Sequence, residues 1–191
     1  MRVLARRTIA DARELAGVIA ECASHLELRP LQRALAAGEV TADLACADTS
    51  GRLVLVVSDV VAGPETVLRA VEVAAWWGEH AALLGRLFPD AALLGAAPHA
   101  LIAASRFTDR ALRLLRALGP AAPDAVECRL FQDADGPVVA LDRLAPAQDA
   151  SQPHPAAPAE GTAEAPRADA KQAAALIDRL ERLRFSEGFR S

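Results

Sequence analysis

Five consecutive aliphatic residues, Leu53 to Val57, constrain this chain more than any other stretch. Three of the five are β-branched, and a glycine, Gly51, opens the run. A short unbroken run of this kind predicts a strand buried on both faces. A helix signal follows directly: Gly63, then Pro64 at a first helical position, then Glu65 in the first turn. Before the run, Val40 to Ala47 alternates, with Val40, Ala42, Leu44 and Cys46 on one face and Thr41, Asp43 and Ala45 on the other. Asp48-Thr-Ser-Gly51 between the two is a turn by composition, so a β-hairpin is expected. Asp43 stands in the middle of the first strand. A carboxylate there is costly to bury without a partner.

The rest of the chain supplies further elements at helical or strand spacing. Residues 8–28 predict a helix, with Thr8 and Asp11 resembling a capping box and Leu15, Ile19 and Leu26 on its apolar stripe. Pro30 ends it, and Leu31 to Ala37 reads as a second short helix stopped by Gly38. Glu65 to Trp77 predicts a helix with Val67, Leu68, Val71, Ala74 and Ala75 inward. One of the adjacent Trp76 and Trp77 packs, and the other is half exposed or covers a strand edge. Gly78 is expected to kink or break this helix before an apolar piece closed by Pro89.

Ala100 to Ala104 is a short strand. Thr108 opens a helix that Gly119 and Pro120 stop, and Arg110, Arg113 and Arg116 run along one of its faces. Val126 to Phe131 and Pro137 to Leu141 are two more strands. These add up to an α/β domain over 1–145 with a mixed sheet of about five strands flanked by helices. A Pro/Ala-rich linker over 146–167 follows. An amphipathic helix over 168–191 then carries Leu176, Ile177, Leu180 and Leu183 as an apolar stripe, which either binds a partner, docks back on its own domain or stays loose.

Composition narrows the function. Hydrophobic residues make up 52% of 191, enough for a sizeable core, and the net charge of −4 argues against bulk electrostatic attachment to DNA. Lys171 is the only lysine, so none in residues 1–170 can act as a base. The three cysteines share no zinc spacing and form no disulfide set, and buried reduced thiols are expected. No run reaches the roughly 18 apolar residues of a membrane span. A reducing cytoplasm and no membrane are the expectation.

The order helix, strand with internal Asp, turn, buried strand, helix, strand, helix, strand resembles the restriction-endonuclease-like PD-(D/E)XK superfamily. More narrowly, it resembles the nuclease domain of NucS-type and RecB-like endonucleases. Asp43-Leu-Ala-Cys-Ala-Asp48 followed by Gly51-Arg-Leu-Val-Leu-Val-Val57-Ser58-Asp59 carries the local likeness. Ala100 to Gly119 and the following Val126-Glu-Cys-Arg-Leu-Phe131 extend it, over roughly residues 8–143. Such nucleases converge hard oxygen ligands on Mg²⁺, one carboxylate from each hairpin strand, with a lysine two residues beyond the second. Here Asp43 matches the first carboxylate, but the second slot falls on Val57 and the lysine slot on Asp59. A shift by one residue offers Ser58 and Val60 instead.

The resemblance therefore implies a degenerate module: a nucleic-acid-associated accessory or scaffold protein with no cofactor. Two alternatives stay open. One is an active Mg²⁺-dependent nuclease using Asp43, Asp59 and Glu72, with Asp43 and Asp59 as metal ligands and Arg69 as a migrated basic group. The other is a protein-interaction module without nucleic acid. DNA or RNA would meet Arg69, Arg106, Arg110, Arg113 and Arg116, a protein partner would meet the C-terminal helix, and a homodimer is among the assemblies open to it. The bland reading of Asp43 pairs it with Arg69 or Arg106. That of Asp59 is a strand-end residue satisfied by nearby N–H groups.

Overall fold

The structure is a computed structural model that describes residues 4–91, 93, 96–133 and 136–144. The chain divides into two units, Met1–Ala150 and Ser151–Ser191. The linker expected over 146–167 and the helix over 168–191, with Leu176, Ile177, Leu180 and Leu183, lie outside the described residues.

Seven strands form one mixed sheet: β1 (Ala5–Arg7), β2 (Leu28–Ala37), β3 (Val40–Asp48), β4 (Leu53–Ala62), β5 (His99–Phe107), β6 (Asp124–Asp133) and β7 (Gly136–Leu144). The helices are α1 (Ala12–Glu21), α2 (Pro64–Glu79), the single-turn α3 (Leu84–Leu87) and α4 (Asp109–Leu118). Strand β4 runs antiparallel to β3 and parallel to β5, and β5 runs parallel to β6. One edge of β6 pairs with β7 along its length. Its other edge pairs first with β5, at Asp124–Glu127, and then with β1, at Leu130–Gln132.

Two cores lie on opposite sheet faces. Leu53, Leu55, Val57, Ala100, Ile102 and Ala104 pack with α2 and α4 residues such as Val67, Val73 and Leu115. Val54, Val56, Leu101, Ala103 and Val126 pack with Leu15 and Ile19 of α1. The aliphatic run is thus buried on both sides, as its composition requires.

The β3–β4 hairpin forms where expected. Asp48 Oδ1 accepts from the Ser50 and Arg52 N–H groups at 2.8 and 2.9 Å, and Gly51 takes φ 80°. Thr108 caps α4 by accepting the Ala111 N–H at 3.2 Å. Trp77 is buried, while Trp76 is half-buried, meets it edge-on at 4.8 Å and stacks on His80 at 4.0 Å.

Several expectations are corrected. Leu31 to Ala37 is not a helix but part of β2, an edge strand on which Pro30 sits without breaking a ladder on its free side. The sheet has seven strands rather than about five, because β1 and β2 add to those foreseen. The first helix spans only Ala12–Glu21, with Asp11 as its cap in place of Thr8: Asp11 Oδ1 accepts the Glu14 N–H at 2.8 Å. A separate 3₁₀ turn, Ala23–Leu26, follows it. Helix α2 continues through Gly78, and its buried side is Thr66, Val67, Ala70, Val73 and Trp77, leaving Leu68 59% exposed. Among the described residues no helix is long and apolar enough to cross a membrane.

Candidate functional site

The β3–β4 ladder runs from Ala47↔Leu53 to Leu44↔Val56 and stops there. One residue further, the backbone no longer pairs directly. Instead Asp43 Oδ2 accepts the Ser58 N–H at 2.6 Å, so a side chain takes over from a carbonyl. Arg69, from the second turn of α2, closes the opening. Its Nη2 donates to Asp43 Oδ2 at 3.0 Å and to the Ser58 carbonyl at 2.9 Å. On β2, between the pairs Arg33↔Leu44 and Leu35↔Ala42, Ala34 takes φ 52°, a left-handed conformation rare for a residue with a Cβ. The irregularity shifts the facing pattern of β3: Ala42 and Ala45 join the core under α2, while Leu44 and Cys46 join the one under α1. The strict alternation expected for β3 therefore fails at Asp43.

The Asp43 and Arg69 side chains are 27% and 35% exposed. Ser58 is 1% exposed, and neither its hydroxyl nor Arg69 Nε has a hydrogen-bond partner. Of the two arginines considered for Asp43, the partner is Arg69.

Asp59 belongs to a different arrangement. Its Oδ2 accepts from the Thr66 hydroxyl at 2.8 Å, and its Oδ1 accepts from the Val61 N–H at 3.4 Å. Thr66 Oγ1 in turn accepts the Gly63 N–H at 3.2 Å. Asp59 thus organises the entry to α2, where Pro64 leaves the first turn without a donor of its own. Glu72 is exposed on α2. Among the described residues no three His, Cys, Asp or Glu side chains gather as a metal-holding group. Asp43 already accepts a guanidinium N–H and an amide N–H on one oxygen, and Asp59 accepts a hydroxyl and an amide. As placed, Asp43 holds a protein cation and Asp59 holds Thr66, whereas Mg²⁺ is bound through one or two carboxylates turned toward it, with waters completing the octahedron.

The arginines considered for nucleic acid are placed outward. Arg106 lies near the end of β5, and Arg110, Arg113 and Arg116 follow at helical spacing on α4; all four are exposed. None of the four has a hydrogen bond or ion pair among the described residues. Arg69, by contrast, is committed to Asp43 and Ser58. Sequence reasoning weighed Ser58 only as a shifted carboxylate slot and missed that its backbone completes the Asp43 arrangement, and it missed Thr66, whose hydroxyl holds Asp59. Thr66 was findable, since it stands three residues after Gly63, where a side chain reaches back to the capping residue.

No family model and no curated protein matches the chain. Two solved structures do. One is a crystal structure of a repair endonuclease from Pyrococcus abyssi: 18% identity, TM-score 0.43, over 55% of this chain and 42% of that one. The other is described as an EndoMS–dsDNA2 complex: 20% identity, TM-score 0.43, over 55% of this chain and 39% of that one. The chain spans about two-fifths of the length of each structure it matches.

The cysteines are free thiols. Burial pushes Cys46 up to about 12 and, with the nearby Cys22 adding to it, Cys128 up to about 11. At the N-terminal end of β6, the Asp124 carboxyl is held below its ordinary range by its hydrogen bond to His99. His99 Nε2 lies 3.1 Å from it.

Proposed function

We propose that this protein is a catalytically degenerate nuclease-like module that acts by binding nucleic acid as an accessory or scaffold. The observation that carries this reading is the Arg69 guanidinium at 3.0 Å from Asp43. A divalent cation at this carboxylate would have to displace a protein cation that is also bonded to the Ser58 carbonyl. The aliphatic Val57 stands where a second carboxylate would be needed, and Asp59, where a lysine would be needed, is bound to Thr66. The attacking water would therefore have neither a metal to acidify it nor an ammonium to orient it. Four exposed arginines at the end of β5 and along α4, with no hydrogen bond or ion pair among the described residues, put basic groups on the surface of an otherwise acidic chain.

Two measurements test the proposal. Calorimetric titration with Mn²⁺ should give no binding that Asp43→Ala removes; specific binding lost in that variant would restore the enzyme reading. Retardation of a DNA duplex should weaken steeply with salt, and Arg113→Glu should weaken it further and reduce the salt slope by about one. Duplex binding insensitive to salt and to Arg113→Glu would refute the nucleic-acid part.

A further inference from the structure

We propose that the crevice between the C-terminal part of β5 and the start of the chain binds a phosphate-type oxyanion. It lies where the sheet opens. Pairing of β5 with β6 ends at Ala104↔Glu127, and pairing of β1 with β6 begins at Arg7↔Leu130. On that edge Cys128 and Arg129 have no ladder partner. Ser105 and Arg106 border the gap from β5, Arg6 and Arg7 border it from β1, and Val60 and Val61 of β4 line it as well. The crevice encloses about 330 Å³ at the carboxyl ends of the parallel strands β4 and β5. Open α/β sheets commonly take ligands at that end.

Its lining contains four arginines and no carboxylate. Two of the four are held in place by carboxylates outside the crevice. Arg7 Nη2 donates to Glu14 at 2.6 Å, and Arg129 pairs with Asp142 and Glu127. The other two, Arg6 and Arg106, are exposed and have no hydrogen bond or ion pair among the described residues. One further donor, the Ser105 hydroxyl, is buried with no hydrogen-bond partner among the described residues, whereas Arg129 Nε lies 3.6 Å from Glu127 Oε1. A buried donor left without an acceptor is costly, so the Ser105 hydroxyl at this polar crevice calls for an acceptor from outside. Arginines bordering the gap from β1 and β5, with Ser105 also in the lining, suit a group presenting several anionic oxygens. A phosphate does this, and neutral ligands do not.

The chemistry is shared by a nucleic-acid backbone and by free phosphate. That the phosphate belongs to nucleic acid rests on the function proposed above, whereas the site itself does not. The test uses the full chain with two probes, inorganic phosphate at constant ionic strength and a short fluorescent DNA duplex. Arg6→Glu and Arg106→Glu should each weaken phosphate binding about tenfold or more, as expected for losing a charge-assisted hydrogen bond. Arg106→Lys should keep most of the binding. Ser105→Ala should weaken phosphate binding and yet leave the unliganded protein no less stable, because it removes a partnerless hydroxyl.

Phosphate bound by the wild type and lost in both charge reversals, with duplex affinity falling alongside, supports the site and its nucleic-acid source. Phosphate binding lost in the variants while the wild type ignores the duplex supports the site for free phosphate and refutes the nucleic-acid reading. A duplex bound equally by wild type and variants, with no phosphate binding, overturns the site and leaves that reading standing. Phosphate binding unchanged in both charge reversals also overturns it.

Discussion

Replacing Arg69 by methionine keeps a long apolar stem on α2 and removes the cation that Asp43 faces. Three effects set the magnitude. The carboxylate loses a charged donor at 3.0 Å, and the Ser58 carbonyl loses its side-chain donor at 2.9 Å. Against these, the partnerless Arg69 Nε disappears, which recovers part of the loss. Breaking a fully buried pair costs about 3–5 kcal/mol, and a fully exposed pair is worth about 0–1 kcal/mol. With side chains 35% and 27% exposed, this pair falls between. After the screening discount the expected cost is about 1–2 kcal/mol. Urea unfolding reads this directly: with a slope of about 2 kcal/mol/M, the midpoint should fall by roughly 0.5–1 M. A double-mutant cycle with Asp43→Asn should return a coupling of about 1 kcal/mol. Additive effects of the two substitutions, or an unchanged midpoint in Arg69→Met, would refute the claim that Arg69 neutralises Asp43.

The remaining expectations concern the frame around that pair. Gly38 takes φ 64° in the β2–β3 turn, and a Cβ there would stand 3.1 Å from the Trp76 indole nitrogen, so Gly38→Ala should cost about 1–2 kcal/mol in urea unfolding. Asp124 has a depressed carboxyl, so its contribution is present above the ordinary aspartate range near 4 and fades as pH falls through its lower folded value. Asp124→Asn should therefore flatten the acid limb of stability against pH, and an unchanged limb would contradict the His99 contact. In a disulfide-exchange assay at pH 8, Cys46 and Cys128 should react only on unfolding, because burial keeps both protonated.

How far the sequence was legible depended on whether local and tertiary signals agreed. The β3–β4 hairpin was readable because an Asx turn, a glycine and an aliphatic run all pointed the same way. The same holds for α4, with Thr108 at one end and Gly119 at the other. Strand β2 was misread because Leu-Gln-Arg-Ala-Leu-Ala-Ala is built from helix formers, and pairing with β3 overrode that preference. The correcting signal was present in Gly38-Glu39, a two-residue loop with glycine at the position of positive φ. Strand β1, with the sequence Ala-Arg-Arg, has no apolar period at all and exists only through its pairing with β6. Among the candidate site residues, Asp43 was recognisable as a lone carboxylate needing a partner, and Arg69 was among those foreseen. The Ser58 backbone was not, since a hydrogen bond to a main-chain group fifteen residues away leaves no local pattern in the sequence. Nor could spacing alone reveal that Asp59 serves Thr66.

Incubation of supercoiled DNA with the protein and Mn²⁺ tests the loss of cleavage most directly. The expected result is a retarded but intact plasmid, identical for the wild type and Asp43→Ala. Nicked or linear product that the wild type makes and Asp43→Ala does not would contradict it.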